Sequence, residues 1–222
     1  MAVLAAALML CFAAFAEQAG NGVLPAAAAP DARPPSYGPA RGMFLVASRN
    51  LVDPNFSESV ILLLEYDAKG ALGLIVNRPT RLQLTDLLPE IEELKERVDI
   101  VYVGGPVSKN RIVLLMRSDR HLQGAGRVFA DTYVSSSMEI LRKVVSADGE
   151  GGTFHAYVGY AGWGPGQLDQ ELSRGDWFLS PGEESLVFDR DAEEIWPELI
   201  EKNSGQWVRR GRPSLQVAAG HP

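Results

Sequence analysis

The chain has 222 residues, of which 46% are hydrophobic and 22% are charged. This composition predicts a single globular domain with a hydrophobic core of its own. A mean hydropathy of -0.04 excludes a polytopic membrane protein. The formal net charge of -7 argues against nucleic-acid binding, because phosphate binding depends on clustered lysine and arginine side chains.

Cysteine and histidine usage limits the metal and redox chemistry of the chain. Cys11 is the single cysteine, which excludes an intramolecular disulfide and a cysteine-based zinc site. The three histidines, His121, His155 and His221, have no short spacing that would place two of them on one helix face. We therefore expect neither a metal site nor a cofactor.

The N-terminal segment has the composition of a targeting sequence. Residues 1–16 are almost wholly apolar and end in the A-x-A pattern Ala14-Phe15-Ala16, which predicts a signal peptide and an exported or periplasmic protein. The segment is too short to span a bilayer, which takes ~20 apolar residues. Because no lysine or arginine precedes the apolar run, a misassigned start codon and a cytoplasmic protein form the alternative.

The rest of the chain divides by composition into three parts. Residues 17–41 are rich in alanine, proline and glycine, and we expect a disordered leader there. The predicted domain covers residues 42–202. Residues 203–222 contain proline and glycine and are predicted to be a tail.

Strand and helix patterns follow one another through the predicted domain. The predicted strands cover residues 43–48, 59–66, 71–77, 99–103, 111–116, 153–160, 176–179 and 186–188, and a further, shorter strand is predicted within residues 127–134. The predicted helices cover residues 85–95, 166–174 and 191–202, with a fourth that the serines at 135–137 cap and that ends near residue 145. Several links have hairpin length, which is typical of an α+β fold with a largely antiparallel or mixed sheet.

One loop, residues 159–166, holds four glycines and a proline around Trp163. Glycine is used where the chain needs a positive φ or must let another group approach its backbone. Trp163 either packs in the core or stacks on a ligand, and the sequence leaves both alternatives open.

Two further loops end strands with backbone-specifying residues. In Asn77-Arg78-Pro79, the Arg78 guanidinium either grips a carboxylate or phosphate or pairs with a neighbouring carboxylate at the strand end. Gly104-Gly105-Pro106 is better explained as a tight turn than as a nest of N–H groups for an anion. We expect the three loops together to form a shared pocket.

Four motifs in order carry a family resemblance. They are residues 42–48 with Asp53-Pro54-Asn55-Phe56, residues 70–79, residues 102–107 and residues 159–168. With these motifs the chain resembles the YqgE/AlgH family over roughly residues 42–200. The resemblance implies a bifurcated, largely antiparallel or mixed sheet curled into a pseudo-barrel with flanking helices. Members are uncharacterised bacterial proteins, often labelled transcriptional regulators, and the family offers no established catalytic residues to carry over.

The sequence favours a non-enzymatic binding or regulatory-accessory domain, because its most specified loops accompany no nucleophile–base or metal motif. The candidate contact residues are Asn77, Arg78, Pro79, Gly104, Gly105, Pro106, Gly162, Trp163, Gly164 and Gly166. We expect the partner to be a protein or a small anionic ligand, and we expect no nucleic acid and no membrane span in the mature chain.

Two alternatives come from other functional classes. One is a transcriptional regulator that acts directly on DNA, which would need a basic face that the sequence does not show. The other is a hydrolase or transferase that uses Arg78 with a histidine or carboxylate of shifted pKa. His155 alternates within a predicted strand, and we expect a hydrogen-bonded sheet residue there rather than a catalytic base.

Overall fold

The structure is a computed structural model that describes residues 38–146 and 153–210, with side chains described as far as residue 203. The predicted signal peptide lies outside the described residues, as do the leader up to residue 37 and the tail from residue 211. Within the described ranges the chain forms ten strands and five α-helices.

The strands are β1 (Met43–Ala47), β2 (Val60–Asp67), β3 (Gly70–Ile75), β4 (Pro79–Gln83), β5 (Ile100–Val103), β6 (Val107–Arg117), β7 (Gly126–Phe129), β8 (Thr132–Ser135), β9 (Thr153–Trp163) and β10 (Trp177–Pro181). The helices are α1 (Leu84–Leu87), α2 (Met138–Ser146), α3 (Gln167–Arg174), α4 (Glu184–Phe188) and α5 (Ala192–Arg210). A single 3₁₀ turn, Glu92–Leu94, lies between α1 and β5.

The strands form one branched sheet. Its main path runs in the order β10, β1, β2, β3, β9, β6, β8 and β7, and each neighbouring pair is antiparallel. Off this path, β5 pairs parallel to β9 and antiparallel to β4. The predicted α+β class with a bifurcated, largely antiparallel sheet is confirmed.

The branch lies in β9, which changes its neighbour along one edge. Residues 156–158 pair with β5, residues 161–163 pair with β3, and β6 accompanies the other edge. Gly159 separates the two segments and has a φ of 71°, a backbone conformation that residues with a side chain rarely adopt. Gly159, which was predicted to begin a loop, lies within β9 and is required by the branching of the sheet.

Gly104 joins the two branches through its backbone. Its N–H donates to the carbonyl of Val158 at 2.9 Å, and its carbonyl accepts from the N–H of Ile75 at 2.9 Å. A Cβ built on Gly104 would lie 2.3 Å from the carbonyl oxygen of Gly159. The junction therefore closes only where no side chain separates the two backbones.

The sheet curls until its ends approach each other, but it does not close. Phe129, at the end of β7, lies beside Gly42, which precedes β1, and Gly182, which follows β10. A Cβ built on Gly42 would lie 3.1 Å from Phe129 Cβ, and a Cβ built on Gly182 would lie 3.2 Å from Phe129 Cε1. Arg41 Nε also donates to the carbonyl of Arg127 at 2.9 Å. Among the described strands no ladder joins β7 to β10, so side chains close this seam.

Helix α5 packs against β1 and β10. It buries Ile195, Leu199 and Ile200, and Trp196 Nε1 donates to the carbonyl of Ala47 at 2.8 Å. The helix continues to Arg210, past the predicted end at residue 202. None of the helices in the described ranges has the length and apolar character needed to cross a bilayer.

The predicted helix over residues 85–95 is wrong. The chain forms only the four-residue α1 and then a 3₁₀ turn. Pro89 has no N–H to donate and disfavours helical dihedral angles at Leu88, which has a φ of -133°. The buried side chains of Ile91 and Leu94 come from the turn instead.

Two predictions about strands also need correction. The strand predicted within residues 127–134 is the hairpin of β7 and β8, which turns at Ala130 with a φ of 39°. Strand β4 is absent from the predictions, because its mostly exposed residues show no apolar alternation and it begins with Pro79. Both differences concern short strands near the margins of the sheet.

The predicted strand over residues 186–188 is helical. It lies in α4, where the N–H of Leu186 donates to the carbonyl of Glu183 at 3.2 Å. Leu186 and Val187 are buried. Three apolar residues in a row have no periodicity that would separate a strand from a helical turn.

We expect Gly104→Ala to lower the free energy of unfolding by at least about 2 kcal/mol, because the new Cβ forces the branch apart. Urea unfolding followed by circular dichroism measures the change. Gly162→Ala is the matched control on the same junction, since its Cβ would meet the Tyr160 ring at an ordinary 3.6 Å. Equal stability of the two variants would contradict this account of the branch.

Candidate functional site

The side chain of Asn77 holds the connection between β1 and β2. This connection, residues 48–59, is called the β1–β2 loop. Asn77 Nδ2 donates to the carbonyl of Glu58 at 2.9 Å, and Asn77 Oδ1 accepts from the N–H of Val60 at 2.8 Å. The amide therefore fixes the point where the loop enters β2.

The guanidinium of Arg78 holds the middle of the same loop. Its Nη1 donates to the carbonyl of Asn55 at 2.6 Å and its Nη2 to the carbonyl of Ser57 at 2.9 Å. Burial lowers the pKa of Arg78, and the nearby Asp53 carboxylate acts in the opposite direction. Arg78 thus braces a loop with its fork, while the prediction that it also contacts a ligand stays a prediction.

Trp163 approaches the β1–β2 loop from the opposite side. Its side chain is 5% exposed, so it belongs to the core. Its ring stacks on Phe56 of the loop with centroids 6.2 Å apart and an interplanar angle of 23°. Phe56 also meets Trp177 edge-on at 5.9 Å, so the loop is anchored between two indole rings.

Glu171 ties this aromatic cluster to α3. One of its oxygens, Oε2, accepts from Trp163 Nε1 and from Trp177 Nε1, each at 2.8 Å. The other, Oε1, accepts from Gln167 Nε2 at 2.9 Å, and Gln167 Oε1 accepts from the N–H of Gly164 at 3.1 Å. These bonds hold both indoles in one orientation against Phe56.

Most of the remaining predicted contact residues determine the path of the backbone. A Cβ on Gly105 would lie 2.2 Å from the carbonyl carbon of Tyr160, and Pro106 is half-buried in the turn that follows. Gly166 has a φ of 69° where α3 begins. Gly162 is half-buried within β9, and the predicted Pro79 is exposed.

The three predicted loops lie close to one another. They are connected by backbone hydrogen bonds and by contacts with the β1–β2 loop. The N–H of Val103, next to Gly104, donates to the carbonyl of Arg78 at 2.9 Å. Arg78 and Trp163 then contact neighbouring residues of the β1–β2 loop. The three loops are therefore linked by backbone hydrogen bonds and by their contacts with the β1–β2 loop.

A cleft of about 260 Å³ opens between the β1–β2 loop and α5. Its lining residues are Ser48, Arg49, Leu51, Ser57, Glu58 and Trp196. None of the ten predicted contact residues is among them, but Asn77 and Arg78 hold two members, Glu58 and Ser57, by their carbonyls. The predicted residues therefore act one layer behind this cleft.

Arg49 is the cation of the cleft. The Cζ atom of its guanidinium lies 5.6 Å from the centroid of the Trp196 ring, a cation–π arrangement. Trp196 is itself fixed by its hydrogen bond to Ala47. Within the described residues the Arg49 guanidinium takes part in no ion pair and no hydrogen bond.

Arg49, Glu58 and Trp196 are absent from the sequence-based predictions. A basic residue two positions after a buried strand, and an acidic residue two positions before the next, are a usable signal for a charged loop. Trp196 had no such signal, because it is 149 positions from its partner Ala47.

His155 lies in a separate aromatic cluster. Its ring stacks on Tyr102 at 4.8 Å and meets Phe188 at 5.3 Å. Burial, and then the charge of Arg117, lower the pKa of His155 to about 4. It is a sheet residue as predicted, but among the described residues no hydrogen bond satisfies its Nδ1 or the buried hydroxyl of Tyr157.

The described residues contain no group of three or more histidine, cysteine, aspartate or glutamate side chains that could hold a metal ion. His155 and the cleft belong to different parts of the sheet, and His155 does not line the cleft. The pKa shift of His155 therefore reflects its packing between rings, and it stands apart from the cleft.

A family model described as AlgH-like matches residues 44–208. The chain belongs to the AlgH-like family. The resemblance drawn from the four motifs is confirmed, and the match includes β1 to β10 and most of α5.

Relatives and solved structures agree with this assignment. A UPF0301 protein of Dechloromonas aromatica is 37% identical over 182 residues, covering 80% of this chain and 95% of that protein. A UPF0301 protein of Streptomyces avermitilis is 33% identical over 190 residues, covering 82% and 91%. The solution structure of the AlgH protein from Pseudomonas aeruginosa is 30% identical with a TM-score of 0.58, covering 85% and 100%. A crystal structure from Corynebacterium diphtheriae, 23% identical with a TM-score of 0.61 and covering 75% and 88%, supports the fold alone.

We expect Arg78→Ala to release the β1–β2 loop while the sheet stays folded, because two carbonyls lose their charge-assisted hydrogen bonds. Amide hydrogen exchange in residues 53–59 should then rise at least about tenfold, with exchange in β9 unchanged. Arg142→Ala, an exposed arginine of α2, is the control. Unchanged exchange in the loop would show that Arg78 does not brace it.

The buried His155 should make the protein less stable as the pH falls. The folded-state pKa of about 4 lies below the ordinary value of 6.5, so the unfolded chain binds the proton first. Stability is therefore complete above pH 6.5 and declines towards pH 4, by up to about 3 kcal/mol. Arg117 opposes the proton, whereas Asp99 and Asp189 favour it.

Urea unfolding between pH 4 and 7 measures the free energy of unfolding of wild type and of His155→Phe. The difference between the two proteins removes the contribution of the carboxylates, which they share. As the pH falls, the wild type should lose more stability than the variant. His121→Gln, which changes an exposed histidine, should show no such trend. A pH-independent difference for His155→Phe would refute the lowered pKa.

Proposed function

We propose that this chain is a non-enzymatic binding domain that takes a small anionic ligand in the cleft between the β1–β2 loop and α5. The observation that carries the proposal is the Arg49 guanidinium, which lies against Trp196 at the cleft and forms no ion pair with the described residues. A cation held over an aromatic ring is oriented before the ligand arrives, which reduces the entropy lost on binding.

The bracing of the loop supports this proposal. Asn77 and Arg78 hold three carbonyls of the loop and the N–H of Val60 that follows it, and Trp163 and Trp177 enclose Phe56. Binding residues are commonly placed on loops that a rigid scaffold positions. Here the scaffold is the branched sheet itself.

The lining of the cleft also favours binding over catalysis. It offers two serine hydroxyls, one guanidinium and one carboxylate beside the apolar surfaces of Leu51 and Trp196. Histidine and cysteine, the usual partners of an activated serine or the usual nucleophiles, are not among the lining residues. Direct action on DNA is disfavoured by the net charge of -7, so a regulatory role would operate through the ligand.

The test is a titration of the intact, isotopically labelled chain with isocaproate, a small carboxylate whose branched apolar end fits Leu51 and the Trp196 ring. We expect saturable shifts centred on the Trp196 indole N–H. Arg49→Met should raise the dissociation constant at least about tenfold, because a charge-assisted hydrogen bond contributes about 1.5–3 kcal/mol.

Arg142→Met is the matched control, since it removes an exposed arginine from α2 and should leave the affinity unchanged. Equal affinities of wild type and Arg49→Met, or shifts that map away from the cleft, would refute the proposed site.

A further inference from the structure

The cleft also contains a carboxylate. Glu58 lines it together with Arg49, yet the two side chains do not pair. Among the described residues no hydrogen bond or ion pair engages the Glu58 carboxylate. A small cleft thus has one cationic and one anionic side chain in its lining, and each keeps its charge available.

Different contacts position these two residues. Arg49 is drawn onto the Trp196 ring. Glu58 is fixed through its backbone, because its carbonyl accepts from Asn77 Nδ2 at 2.9 Å. Opposite charges that share a cleft without pairing are suited to a ligand that has both charges itself.

The backbone of Glu58 adds an independent observation. Its φ is 55°, a left-handed conformation that favours glycine and is strained for a glutamate. Asn77 holds the backbone that follows, through the carbonyl of Glu58 and the N–H of Val60. The chain therefore carries an acidic side chain at a position where glycine would fit with less strain.

We propose that the cleft takes a small zwitterion, a molecule that carries a carboxylate and an ammonium group on a short apolar frame, as a free α-amino acid does. This inference rests on the proposed function and adds the second charge. Arg49 receives the carboxylate, Glu58 receives the ammonium group, and Leu51 with the Trp196 ring contacts the apolar frame. The cleft, with a volume of about 260 Å³, has room for a ligand of this kind.

The experiment compares three probes on the intact chain by the same indole titration. L-leucine carries both charges, isocaproate lacks the ammonium group, and isoamylamine lacks the carboxylate. We expect L-leucine to bind at least about tenfold more tightly than either of the other two.

Glu58→Gln should abolish the preference for L-leucine over isocaproate, because the ammonium group loses its partner, whereas Arg49→Met should weaken the binding of both probes. If isocaproate binds through Arg49 but L-leucine binds no more tightly, the zwitterion inference is overturned and the anion site stands. If none of the three probes binds, both proposals are overturned.

Glu58→Gly keeps the test independent of any defect in folding. It removes the carboxylate and the strain together, so the thermal midpoint should rise by a few degrees while the preference for L-leucine is lost. A Glu58→Gly protein that still prefers L-leucine over isocaproate would overturn the inference.

Discussion

The close approach of two backbones at Gly104 and Gly159 is the constraint on which the rest of the structure depends. It lets β9 pair with β5 along one segment and with β3 along the next. Without that approach β9 would keep a single neighbour along this edge, and the sheet would remain unbranched. The positions of Asn77 and Arg78 follow from it, because they leave β3 where the two branches separate.

From the branch, the positions of the loop and the cleft follow by packing. Trp163 ends β9 beside β3 and stacks on Phe56, while Arg78 reaches the neighbouring carbonyls from the other side. The β1–β2 loop is therefore held at three adjacent residues by groups from different branches of the sheet. Its free face, with Arg49 and Glu58, is then presented to α5, where Trp196 supplies the aromatic wall.

Much of this architecture could be predicted from the sequence, because it is encoded in local patterns. The apolar runs of β1, β2, β3 and β9 and the glycines of the branch are readable without long-range information. The prediction of a helix over residues 85–95 was wrong because Pro89 interrupts the helix. The prediction of a strand over residues 186–188 was wrong because three residues are too few to show a periodicity. The cleft could not be predicted, because Arg49 and Trp196 meet only after α5 has packed on β1.

The seam between β7 and the start of β1 has a consequence for how the curvature of the sheet is set. Ladder hydrogen bonds fix the distance between strands, but here the approach of the two ends rests on Phe129 between Gly42 and Gly182 and on one arginine. The Phe129 side chain thus acts as a spacer at the point where the two ends of the sheet meet. A smaller or larger residue at 129 would change how closely these ends approach without unpairing any strand.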